Sequence, residues 1–497
     1  MGAFGSQADL GIPEGEMPPQ DLTLLAPEIG MTLLCCAILA LDFIWPRFPK
    51  RRLALLAMAG MALIAVGLIV LGAGGMRDTL FGTMFVFDPL AVFFKVFILA
   101  TTVLAMLASM DAVDGLPHFR GEYYFLLPFC ALGMMFMASA NDFLSLFITV
   151  EFATFGFYIL VAYLREDIRS SEAGIKFFIL GVLAASLIAY GISLIYGETG
   201  SVLFDEIARA RPTMSVGLLL GLLFVFVGLG FKIGAVPFHA WIPDVYEGAP
   251  TPVTAYLSIA PKAAAFALFF RVLFSVLGDM TEGWRWLIVS LAILSMTYGN
   301  VTAIAQKNAK RLLAYSGIAQ IGTLLIGFAA GTRMGGDAIL FYLLTYLFAN
   351  LGAFIVVIAF CNHTQRDDID DLAGLNRRSP LLAFAMLIFL LSLAGVPPLA
   401  GFLAKVYIFA AAVHQDLLLL VSIGLINVVI SFYYYLIVVK KMYTLEPADA
   451  TPIPLSPPMR VALCVCITGV IALGVWPAPF IDLSVAATDI FSNLPRR

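Results

Sequence analysis

Apolar runs of bilayer-spanning length recur along this whole chain, and that repetition narrows the fold before any motif is read. Hydrocarbon offers no water to backbone N–H and C=O groups, so such runs cross it as helices. Charged residues make up 12% of the sequence, about half their share in soluble domains. The expected fold is all-α and polytopic, one membrane domain over residues 1–497 with no room for a separate soluble domain. Fourteen transmembrane helices are expected, at about 22–45, 53–74, 86–109, 122–139, 141–163, 171–196, 215–238, 252–277, 285–305, 311–330, 337–361, 380–412, 417–440 and 459–481.

The loops orient these spans. With the N-terminus outside, one side collects sixteen Lys and Arg residues, from Arg47 and Lys50 through Arg377 and Arg378 to Arg460. The other side holds seven: Arg77, Arg209, Arg211, Arg285, Arg333, Arg496 and Arg497. Cytoplasmic loops carry the excess of basic residues, so both termini are expected in the periplasm or its equivalent. Residues 1–20 contain no Lys or Arg and read as a polar tail rather than a signal peptide. The six cysteines form no C-x-x-C pair, which argues against zinc, iron–sulfur ligation and a disulfide framework.

Five ionisable residues lie inside the apolar runs: Glu151, Lys176, Lys232, Lys262 and Lys405. A charged side chain at the bilayer centre is disfavoured by about 2.5–3.5 kcal/mol. As static ion pairs they would stabilise little, and one acid leaves most of the lysines without a partner. Buried lysines exchange protons readily, so the set reads as a proton relay. Glu151 has two candidate partners, Lys176 in the next helix and Lys232 in the seventh span. Lys262 follows Pro261 and stands as a central station, with Lys405 as the exit. His239, near the cytoplasmic face, is of a type that titrates near neutral pH and could pass a proton inward. Thr254, Tyr256, Ser258, Tyr315 and Ser316 could hold waters between the lysines. Lys95 and Arg271 are expected to snorkel to the outer interface, and Lys95 and Asp142 to be structural.

Two spans carry proline interruptions beside a lysine. The seventh reads GLGFKIGAVPFHAWIPD, with Pro237, and the twelfth reads LSLAGVPPLAGFLAKVYIF, with Pro397 and Pro398. One such break is an ordinary membrane kink. Two in corresponding places, five helices apart, mark a repeated transporter core of inverted topology. The expected repeats are 122–277 and 285–441, flanked by helices one to three (1–110) and the last helix (459–481).

The stretch KIGAVPFHAWIPDVYEGAPTPVTAYLSIAPK, residues 232–262, resembles the antiporter-like subunits of respiratory complex I. YLSIAPK, GVPPLAGFLAK and the N-terminal LAPEIGMTLLCCAILALDFIWP are similar to the subunit N type, counterpart of mitochondrial NADH dehydrogenase subunit 2. The resemblance covers nearly the whole chain. It implies that Glu151, Lys176, Lys232, Lys262 and Lys405 are the family's glutamate and lysines. It also implies a Glu–Lys pair that tunes a central lysine, and proton release through Lys405, driven by quinone reduction elsewhere. By the same resemblance NADH, FMN, iron–sulfur clusters and quinone belong to partner subunits, with no cofactor in this chain. The implied partners are the antiporter-like subunit M, the small subunits A, J and K, and lipids, with no nucleic acid. The localisation implied is the bacterial inner membrane. Nothing in composition or spacing marks a site for NADH or quinone, and no Gly-rich nucleotide fingerprint follows a strand, since no strand is evident. The alternative is a subunit of a cation/proton antiporter, against which Lys262 and GVPPLAG argue; a third reading is a membrane scaffold.

Overall fold

The computed structural model describes residues 22–210, 215–278, 281–447, 449–491 and 494–495. The polar tail at 1–20 and Arg211, Arg496 and Arg497 lie outside the described residues. Twenty α-helices run in order: α1 Ala26–Ile44, α2 Lys50–Ala73, α3 Pro89–Asp114, α4 Arg120–Ser139, α5 Phe143–Val161, α6 Ile168–Thr199, α7 Phe204–Ala210, α8 Val216–Ile233, α9 Trp241–Gly248 and α10 Thr251–Leu257. There follow α11 Ala260–Phe270, α12 Thr281–Ile304, α13 Ala309–Ala330, α14 Arg333–Thr364, α15 Leu375–Arg378, α16 Pro380–Ala394, α17 Ala400–Val413, α18 Leu418–Thr444, α19 Pro457–Val475 and α20 Ala478–Thr488. Among the described residues thirteen helices are long and apolar enough to cross a membrane. The expected twelfth span is the remaining one, divided into α16 and α17. Every expected span therefore has its counterpart.

The core is built around α13, which is buried along its whole apolar length, with α10–α11 and α14 nearly as covered. Helices α1, α2, α6 and α19 lie outermost and keep large apolar side chains exposed, as lipid-facing helices do. No strand is expected from the sequence, yet Asp78–Leu80 and Phe85–Phe87 pair as a two-stranded antiparallel hairpin. Three-residue strands are too short to show a period-two pattern. The hairpin is tied to the bundle by pairing Phe85 with Ala140, between α4 and α5.

Both broken spans end in the same way. α8 stops at Gly234 (φ +79°) and α16 at Gly395 (φ +91°), left-handed positions that glycine adopts freely. Ala235 N then donates to Gly230 O at 2.9 Å, and Val396 N to Leu391 O at 3.0 Å, so each chain reverses on one Schellman-type turn. Phe238 N to Ala235 O and Leu399 N to Val396 O continue the correspondence. Pro237, Pro397 and Pro398 stand at the surface of the chain rather than in its core.

Candidate functional site: a row of buried charges at the helix breaks

Lys232 lies two residues before the first break, on the last turn of α8. Its Nζ donates to Thr154 Oγ1 at 2.8 Å and meets Glu151 Oε1 at 3.2 Å. Glu151 and Thr154, one turn apart on α5, share a face, and Thr154 returns its own proton to Val150 O at 2.6 Å. Of the two candidate partners, Lys232 is therefore the one that meets Glu151. The lysine side chain is 8% exposed and the glutamate 29%, so the pair reaches the flank of this chain halfway along α5.

Lys176 departs from the expected burial. Its side chain is 43% exposed and bridges Glu172 (2.7 Å) and Asp244 (2.9 Å) near the N-terminal end of α6. Two turns inside α6, its long stem carries the ammonium back toward the charged loop region, which an apolar sequence window cannot reveal. Arg311 joins the same cluster, with Asp244 at 3.0 Å and Glu247 at 2.8 Å. A cavity of about 280 Å³ opens among Arg169, Glu172, Lys176, Asp244 and Glu247. Burial pushes the Asp244 carboxyl up, but hydrogen bonds from Lys176 and Arg311 outweigh it and hold it below the ordinary carboxylate range. His239 sits in the first break, half-buried, its ring edge-on to Tyr298 at 4.6 Å.

Lys262 is 1% exposed, at the start of α11, just after a helix interruption at Ser258–Ile259. Its Nζ lies 5.5 Å from the centre of the Tyr246 ring. A Cβ on Gly317 would lie 3.0 Å from Tyr346 Oη and 3.4 Å from Lys262 Nζ, so the missing side chain keeps these two polar atoms around one small space. Between Lys232 and Lys262 stand Phe231, Trp241 and Tyr246; Trp241 Nε1 donates to Phe231 O at 2.9 Å, joining Gly234 N on that carbonyl at the end of α8. Thr254, Ser258 and Ser316 bond backbone carbonyls nearby.

Lys405, on α17, solves the second break differently. Its Nζ donates to Leu393 O at 2.7 Å and Ala394 O at 2.9 Å, the last carbonyls of α16. The ammonium faces the negative end of a half-helix instead of a carboxylate.

Two residues expected at the outer interface are in fact deep in the protein. Lys95 is 0% exposed and pairs with Glu28 at 2.6 Å, flanked by the rings of Phe85 and Phe87. Arg271, in a π-helical turn Arg271–Val276, holds Asp88 at 3.0 and 3.1 Å and Ala138 O at 2.9 Å. Each is retained because a carboxylate meets it inside. The signal was present: Glu28 and Asp88 are acids at the edges of apolar runs. Asp142 caps α5, accepting from Leu144 N and Ser145 N.

Fourteen spans with two matching breaks, each beside a buried lysine, define an antiporter-like membrane subunit. Residues 140–431 match the family model described as NADH:quinone oxidoreductase/Mrp antiporter, transmembrane. The chain is 42% identical over 476 residues to NADH-quinone oxidoreductase subunit N of Moorella thermoacetica, covering 95% of this chain and 99% of that one. A chain of respiratory complex I from Thermus thermophilus superposes with TM-score 0.79 at 31% identity, covering 92% of this chain and 99% of that one. A chain of the Mrp complex from Dietzia shares the fold, at TM-score 0.85 and 20% identity over 94% of this chain and 97% of that one. The chain belongs to the antiporter-like transmembrane family, in its subunit N branch.

Proposed function

We propose that this chain is the N-type proton-translocating membrane subunit of an NADH:quinone oxidoreductase, with Glu151, Lys232, Lys262 and Lys405 as its relay. The observation that carries the proposal is the Glu151–Lys232 contact at 3.2 Å beside the first helix break, with Lys405 capping the second. Withdrawing Glu151 leaves an ammonium buried without its counter-charge, a state that favours giving the proton up. Because Glu151 reaches the flank of the chain, a neighbouring subunit can act on it. Lys262 is the central acceptor, facing Tyr246 and Tyr346 across a space in which bridging water would carry the proton. Lys405 releases it outward. Lys176 and His239 serve the cytoplasmic entrance: Lys176 by holding the charged cavity around Asp244 open, His239 by titrating in the first break.

No energy source lies in such a relay, and each proton moved needs about 2.3 kcal/mol per 100 mV. The drive therefore comes from partner subunits, which would carry NADH, FMN, the iron–sulfur clusters and quinone. The partners proposed are subunit M and the small subunits A, J and K, with lipid around the remainder. The membrane is the bacterial inner membrane and both termini are periplasmic. The repeats run over 122–277 and 285–441, between flanking helices and the last helix. The test is an assembled complex carrying Lys262→Ala. Quinone-coupled proton translocation is expected to fall sharply. Normal translocation in that variant, or transport that needs sodium and no redox reaction, would sink the proposal.

A further inference from the structure

An uncharged residue stands at the centre of the polar contacts around Lys405. Gln320, on α13, is buried; its Nε2 donates to Leu393 O at 3.1 Å and approaches the Tyr435 hydroxyl at 3.5 Å. Its Oε1 accepts from the Tyr342 hydroxyl on α14. Leu393 O is the oxygen that Lys405 Nζ also reaches. It is one of the four carbonyls that the end of α16 leaves without an intrahelical donor. Leu391 O and Ser392 O are taken by the N–H groups of Gly395 and Val396. Ala394 O depends on Lys405, and Leu393 O is shared between Lys405 and Gln320.

A relay lysine has to leave its resting contacts to hand its proton on. Each departure of Lys405 bares acceptors in an apolar interior, which is strongly disfavoured. Gln320 removes part of that penalty. An amide neither takes up nor releases a proton at working pH, but its N–H stays on Leu393 O when the ammonium moves away. Tyr342 fixes the amide's other end and so aims Nε2 at the carbonyl. We infer that Gln320 is a positioning residue for Lys405, holding the end of α16 satisfied while the lysine departs and returns, and so setting how readily Lys405 exchanges its proton. The inference rests on Lys405 being a relay station. Among the described residues, the titratable groups that touch Gln320 are the hydroxyls of Tyr342 on α14 and Tyr435 on α18, with Tyr434 packed on Tyr435. α16 has none, α13 has its charges and Tyr315 at the cytoplasmic end, and α19 adds two cysteines and Arg460. On α17 itself Tyr407 faces Asp337 of α14, nearer the outer end.

The test uses the assembled complex in sealed vesicles with Gln320→Leu, Gln320→Glu, Tyr342→Phe and Lys405→Ala. Gln320→Leu is expected to slow NADH-driven proton translocation about fivefold, as the loss of one buried hydrogen bond would. Tyr342→Phe, which keeps the ring, gives a smaller loss in the same direction. Gln320→Glu sets a carboxylate beside the ammonium and moves the alkaline limit of translocation up by about one pH unit or more. A helix-packing role alone would not produce that displacement. Wild-type rates in Gln320→Leu and Tyr342→Phe, or an unmoved pH profile in Gln320→Glu, overturn the inference. If Gln320→Leu does not assemble, the other two decide it. Lys405→Ala separates the two levels: normal translocation there overturns the relay itself, whereas loss there with unaffected Gln320 variants overturns only the role of Gln320.

Discussion

The pair least expected from sequence, Glu28–Lys95, gives the sharpest test of how this fold holds charge. At 2.6 Å and side-chain exposures of 1% and 0%, its Coulomb attraction is about 6 kcal/mol at an effective dielectric of 20. Most of that offsets the desolvation of two ions, so the intact pair contributes little net stability. Removing one partner is different, because the other ion's desolvation then stands uncompensated, at about 3–5 kcal/mol. Lys95 also sits 4.8 Å from the Phe85 ring and 5.3 Å from that of Phe87, contacts worth about 2 kcal/mol when desolvated. Lys95→Met should therefore destabilise more than Glu28→Gln. The double variant Glu28→Gln/Lys95→Met should recover most of the loss, an interaction energy of about 3 kcal/mol or more between the sites. Heating the purified complex and following release of this subunit would show the order wild type, double variant, Glu28→Gln, Lys95→Met. A double variant as damaged as the worse single one, or a Lys95→Met complex as stable as wild type, would refute the reasoning.

Other outcomes follow from the same geometry. Gly395→Ala forces a side chain into φ +91°, with its Cβ 2.9 Å from Lys405 Cδ; it should destabilise by about 1–3 kcal/mol and lower proton translocation in the assembled complex. Trp241→Phe removes one of the two donors to Phe231 O and leaves Gly234 N in place; a loss of about 0.5–1.5 kcal/mol, that of one hydrogen bond, is expected in thermal release, with the aromatic packing kept. Asp244, held below the ordinary carboxylate range, contributes stability that is present above about pH 4, its unfolded range, and lost only as pH falls through its lower folded value. Across pH 5–8 it stays ionised and holds Lys176 and Arg311 in place; Asp244→Asn should slow proton uptake from the cytoplasmic side without adding a pH dependence in that range.

The spans were legible because a helix must be apolar along its full length to cross hydrocarbon, whatever it packs against. The breaks were legible because glycine and proline act locally, and Gly234 and Gly395 stop their helices where the sequence places them. Pairing was not. Nothing in the local sequence brings Glu151 to Lys232 across 81 positions, nor lets Lys176 turn back to Asp244. The assignment of Lys95 and Arg271 to the interface assumed that a cation near a helix end reaches water. Glu28 and Asp88, folded in from other helices, made burial the alternative. Gln320 escaped notice because an uncharged amide in an apolar run looks like any interhelical hydrogen bond until its carbonyl is seen to be shared with Lys405.

In the proposed relay, charge at the first helix break controls proton movement. The most direct measurement is the number of protons translocated per NADH oxidised, by the assembled complex in sealed vesicles, with Glu151→Gln and Lys232→Ala set against wild type. Both variants are expected to assemble and to lower the ratio, Lys232→Ala the more. An unchanged ratio and rate in both would contradict it.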